Sequence, residues 1–116
     1  MSPITAPEID RHLPLKPVYF LILMVLLNGD RHGYGLVKEI DRRTSGSVRL
    51  EPGNLYRFIR KLLDLGLVGE AGAQAADDSE DERRRYYTIT PMGRAVVSAE
   101  TARMKQLVQA VERSQG

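Results

Sequence analysis

LEPGNLYRFIRKLLDLGLV, residues 50–68, is the stretch whose patterning decides the fold. Pro52-Gly53 turns the chain and lets a helix begin. Turned at about 100° per residue, Leu55, Phe58, Ile59, Leu62, Leu63 and Leu65 gather on one side. Tyr56, Arg57, Arg60, Lys61 and Asp64 fall on the other, with Asn54 at its edge. Gly66 closes the helix, as a glycine after the last turn commonly does. A helix with this front suits a DNA groove. Arg57, Arg60 and Lys61 can meet phosphates, and Asn54 and Arg57 can reach base edges. The same pattern also describes a helix whose charged face is only solvated, so its meaning depends on the rest of the chain.

The chain has 116 residues, enough for one domain with a modest core, a size at which dimerisation often adds stability. Hydrophobic content of 42% with 28% charged residues describes a globular rather than a disordered chain. The absence of cysteine excludes disulfides, thiolate metal sites and a cysteine nucleophile, and fits the reducing cytoplasm, where the protein is expected. The longest apolar run, residues 18–27, is about half of what a membrane span requires, and no export signal is read at the start. Net charge is only +2, but its distribution is uneven. Asp77, Asp78, Glu80, Asp81 and Glu82 form an acidic run. Between residues 31 and 61, eight Lys/Arg face three acids. A basic middle with a separate acidic tip says more about partners than the sum does.

Residues 1–15, with Pro3, Pro7 and Pro14, read as a flexible or loosely docked N-terminal arm. Residues 16–28 are apolar nearly all round and predict a buried helix. Arg31-His32-Gly33-Tyr34 opens the next helix, which runs to Arg43 with Tyr34, Leu36, Val37 and Ile40 inward. Lys38, Glu39, Asp41 and Arg42 face outward. Thr44-Ser45-Gly46-Ser47 is a turn, and Val48-Arg49-Leu50 alternates like a short strand. The order helix, turn, helix is that of a helix-turn-helix with a long turn. Residues 67–70 and 83–89 then form two strands around an acidic loop, a hairpin placed as a wing. With Ile89 inward, Tyr87 and Arg85 share its side, and Arg84 and Tyr86 take the other. Residues 16–90 therefore form a winged helix-turn-helix, mainly α with a small β-hairpin.

Thr90-Pro91 starts a final helix that runs to Arg113. Val97, Thr101, Met104, Val108 and Val111 recur at spacings of four and three, with Leu107 beside them, which makes a coiled-coil-like seam. Residues 91–116 are expected to form a dimerisation helix, its seam covered by a second copy. The alternative is a helix that folds back on its own core.

The sequence resembles the PadR family of bacterial transcriptional regulators, in its short form with one C-terminal helix. The matching residues are 23–27 followed by Gly29, His32-Gly33-Tyr34, Pro52-Gly53-x-Leu55-Tyr56-Arg57, residues 62–68, and Arg84-Arg85-Tyr86-Tyr87-x-Ile89-Thr90-x-x-Gly93. Their order and spacing cover residues 16–116. The resemblance implies a homodimer that represses nearby genes by binding double-stranded operator DNA. It makes Asn54, Tyr56 and Arg57 groove readers, Arg84 and Tyr86 wing contacts, and residues 97–111 the dimer helix. It also implies a possible small hydrophobic or aromatic effector, although the chain has no tryptophan to build a flat stacking platform. Two residues depart from the pattern. Asn54 stands where a small hydroxyl residue is usual, and the wing tip is acidic, either directed away with Arg83, Arg84 and Arg85 left at the DNA or weakening binding.

Other chemistry is weak. His12 and His32 are the only histidines and lie on different elements, so no metal site is expected. The acidic run lacks the alternating ligands and glycine of a calcium loop. Gly33-Tyr34-Gly35 has no phosphate-loop lysine after it. No nucleophile, base and stabiliser can be assembled, so no enzyme, catalytic residue or cofactor is expected. A winged-helix module that binds protein rather than DNA is the alternative function.

Overall fold

The computed structural model describes residues 3–71 and 85–116. Among the described residues, five helices and three strands follow in order: α1 (Ala6–Asp10), α2 (Pro17–Leu26), β1 (Arg31–His32), α3 (Gly33–Arg43), α4 (Pro52–Asp64), β2 (Val68–Glu70), β3 (Tyr86–Ile89) and α5 (Pro91–Gln115). The fold is mostly helical, with a small antiparallel sheet at one side.

One core joins all layers. Ile22, Leu23, Val25 and Leu26 of α2 meet Leu36 and Ile40 of α3 and Leu55, Ile59 and Leu62 of α4. Leu67, Val68, Tyr87 and Ile89 close it from the sheet, and Val96 and Val97 from α5. The apolar side of α4 read from its period is thus the side that is buried, with Phe58, Leu63 and Leu65 half-buried at its margin.

The sheet has three strands where two were expected, in the order β1-β3-β2. Arg31 pairs with Tyr87 and His32 with Tyr86, while Val68 pairs with Ile89 and Glu70 with Tyr87. Arg31-His32 therefore does not begin the helix; it is a strand, and His32 caps α3 by accepting from the Gly35 N–H at 3.0 Å. A two-residue strand has no period of its own, so only its partner defines it. Residues 48–50 form neither helix nor strand, so the expected short strand is not there. Thr44 instead ties that stretch to α3, its hydroxyl accepting from Val48 N–H at 3.1 Å and donating to the Ile40 carbonyl at 2.8 Å.

The N-terminal segment takes the docked rather than the flexible form of the expected arm. Thr5 and Glu8 cap α1 reciprocally, with Glu8 N–H on Thr5 Oγ1 at 3.3 Å and Thr5 N–H on Glu8 Oε1 at 3.1 Å. α1 packs on α5, and Leu15 enters the core. The Leu15 N–H donates to the buried Glu100 carboxylate at 3.3 Å, and Arg103 grips the same carboxylate at 2.6 and 2.8 Å. Those Arg103 hydrogen bonds hold the Glu100 carboxyl below the usual range, against the upward push of its burial.

At the other end of the core, Thr90 joins sheet to helix. Its hydroxyl accepts from Gly93 N–H at 3.0 Å and donates to the Gly66 carbonyl at 2.7 Å. A Cβ on Gly93 would stand 2.2 Å from the Leu67 carbonyl oxygen, so only glycine permits α5 to start this close to β2.

Candidate nucleic-acid interface

The exposed side of α4 carries Gly53, Asn54, Arg57, Arg60 and Lys61, and its buried side carries Leu55, Ile59 and Leu62. The helix therefore offers cations and an amide from a rigid support. No side-chain hydrogen bond caps its first turn, and the acid at that end is the N-cap residue Glu51. The Arg57 guanidinium lies over the Phe58 ring at 5.5 Å, which orients it along the helix flank.

Tyr56 is not on the solvated front where the helical wheel placed it. It is half-buried, and a Cβ on Gly33 would stand 2.7 Å from its ring. The ring fills the space that the missing Gly33 side chain leaves at the start of α3. Tyr34, expected to face inward, is 56% exposed instead, with the Lys38 ammonium 5.2 Å from its ring centre.

At the root of the wing, Arg85 is exposed and meets Glu70 at 3.6 Å. With Arg60, Tyr56 and Tyr87 this pair borders a narrow cleft between α4 and the sheet. Tyr86 is half-buried, edge-on to His32 with ring centres 5.5 Å apart. The strand alternation holds: Tyr87 and Ile89 point inward, and Tyr86 lies on the opposite side. Arg84 and the acidic run from Asp77 to Glu82 lie outside the described residues.

A network on α3 escaped the sequence reading. Glu39 binds Arg42 and Arg43 and lies 4.0 Å from Arg31, tying β1 to the far half of α3. The hydrogen bonds from Arg42 and then Arg43 hold the Glu39 carboxyl down to about 2. The Glu39–Arg43 spacing of four was the readable signal.

On α5, Val97 is already buried within one chain, so it belongs to the core rather than to an open seam. Thr101 and Met104 are half-buried, while Leu107, Val108 and Val111 are 52%, 55% and 55% exposed. Thr101, Met104 and Val108 border an open, largely apolar hollow of about 550 Å³ with Lys105, Gln109 and Glu112. Among the described residues, no group of three His, Cys, Asp or Glu side chains is placed to hold a metal ion. No helix among them is long and apolar enough to cross a membrane.

A core-backed helix with a cationic front, set behind a second helix and beside a small antiparallel sheet, defines the winged helix-turn-helix class. Residues 22–99 match the transcriptional regulator PadR-like family, and the chain belongs to it. Members of that family are transcriptional regulators, not enzymes. An uncharacterized protein of Lysinibacillus sphaericus is 32% identical over 91 residues, which are 76% of this chain and 81% of that protein. The fold is similar to that of a transcriptional regulator from Clostridium thermocellum, with TM-score 0.67, 23% identity, and coverage of 96% of this chain and 97% of that one. It is also similar to Bacillus subtilis PadR, whose structure is in complex with operator DNA, with TM-score 0.59 and 18% identity over 74% of this chain and 46% of that one.

Proposed function

We propose that the chain is a homodimeric, cytoplasmic repressor that binds a two-fold operator through α4. The observation that carries this is the exposed face of Asn54, Arg57, Arg60 and Lys61 on a helix anchored by Leu55, Ile59 and Leu62. Asn54 and Arg57 read base edges, and Arg60 and Lys61 meet phosphates. Tyr56, held against Gly33, fixes the angle at which those readers are offered. Arg85 and Tyr86 approach the flanking backbone from the wing, a role that the sequence resemblance also gives to Arg84. The operator-bound state of Bacillus subtilis PadR supports the assignment.

The second copy joins along Thr101, Met104, Leu107, Val108 and Val111, since isolated chains rarely leave so regular an apolar row in water. Val97 supports that row from beneath. The hollow beside Met104 and Val108 lies on the row that the second copy covers, and a small hydrophobic or aromatic effector bound between the two copies releases the operator.

The decisive experiment replaces Arg57, Arg60 and Lys61 with alanine and measures binding to the DNA upstream of the protein's own gene. The variant is expected to fold and dimerise like the parent and to lose binding. Undiminished binding would remove α4 from the interface. Thermal-shift screening of aromatic acids and planar drugs tests the effector, which is expected to raise the melting temperature.

A further inference from the structure

The turn between α3 and α4 carries cations that the reading of α4 leaves unused. Lys38 and Arg42 stand one helical turn apart on α3, and Arg49 lies three residues before Pro52. With Asp41, Ser45 and Gly46 they line an open hollow of about 380 Å³. The Arg42 and Arg49 side chains are 70% and 76% exposed. Arg49 touches Asp41 only at 3.5 Å. Arg42 donates from Nε and Nη2 to Glu39, two of the nitrogens among which a guanidinium spreads five N–H donors.

The backbone builds this hollow deliberately. Ser45 and Gly46 take φ of 52° and 81°, which folds the chain back so that Arg49 returns beside α3. A Cβ on Gly46 would stand 3.2 Å from Arg49 Nη2. The turn's own N–H groups are consumed internally: Ser45 on Arg42, Gly46 on Asp41 and Ser47 on Thr44. An anion in the hollow therefore meets side chains, three cations against Asp41 in the hollow and Glu39 behind Arg42.

We propose that Lys38, Arg42 and Arg49 form a second phosphate clamp on the DNA strand that borders the groove entered by α4. This rests on α4 being the groove element. A helix about 10–12 Å across fills a major groove about 12 Å wide. The elements packed beside α4 then have no room in the groove and ride on its bordering backbone. The hollow adjoins the segment that runs into Pro52, the end of α4 that carries Asn54. Its cations thus stand over phosphates next to the bases that Asn54 reads.

The test measures fluorescence anisotropy of the full chain on a labelled mixed-sequence duplex of about three helical turns, and on the fragment upstream of its own gene, across a salt series. The paired variant Lys38→Ala with Arg49→Ala is expected to flatten the log-affinity against log-salt slope by about 0.9 per cation removed in each bound copy. The loss should be equal on both duplexes, because phosphate contacts carry no sequence information. Lys38→Arg with Arg49→Lys should keep the parent slope and separate charge from packing. If the alanine pair leaves the slope unchanged while Arg57→Ala with Lys61→Ala flattens it, the clamp is overturned and α4 stands. If neither pair moves the slope, or the parent ignores duplex at low salt, the reading of α4 falls as well.

Discussion

Gly33 and Tyr56 act as one unit, and that decides how α4 is presented. The glycine gives up a side chain so that an aromatic ring from the next helix can occupy its place. Gly33→Ala would set a Cβ 2.7 Å from that ring and turn it outward. Operator affinity is expected to fall while the salt slope stays constant, since no phosphate partner is lost; anisotropy titrations read both. Asn54→Ala should cost about 1–3 kcal/mol at one base position and leave the other positions as they were, which a panel of single-base operator variants would reveal. Gly93→Ala presses a methyl group against a backbone oxygen rather than a movable side chain. It is expected to cost about 1–3 kcal/mol of stability in urea unfolding.

Among the elements, α1 shows what local pattern conceals and what it reveals. Prolines at 3, 7 and 14 suggested a loose arm, yet Thr5-x-x-Glu8 is a capping box in plain sequence. Its docking site is remote, because Glu100 lies 85 residues from Leu15 and nothing in the local sequence marks it as the acceptor. β1 was hidden for the same reason: its two residues become a strand only beside Tyr86 and Tyr87. The apolar side of α4 was legible because a period of 3.6 over thirteen residues needs no partner to be seen. The wheel misplaced Tyr34 and Tyr56, whose positions depend on a missing Cβ across a helix junction. The Glu100 latch has a sign that can be tested. Its folded carboxyl lies below the ordinary value, so its contribution is complete above the unfolded carboxylate range and disappears as pH falls through the lowered folded value. Glu100→Gln should lower stability at neutral pH and make acid unfolding shallower, as followed by melting temperature from neutral to acidic pH.

For the whole molecule, the second copy is the main expectation. Val108→Asp places a charge at a position that is 55% exposed in one chain, so the fold should persist. Light scattering should then give the mass of a single chain, and the loss of one half of a paired DNA contact should weaken operator binding strongly. A variant that stays dimeric would place the contact elsewhere on the surface.

The close approach of Gly93 to Leu67 has a mechanical result. The foot of α5 lies against the backbone of Leu67, just before β2, with the Ile89 side chain alongside, and Thr90 pins this junction to Gly66, just past α4. Tilting the rod must therefore drag the wing and the tip of α4 with it. In the proposed dimer, two chains joined along their rods would form a stiff calliper, in which any change of angle at the handle alters the gap between the jaws. Give is left to the far end of the rod, where Leu107, Val108 and Val111 stand exposed.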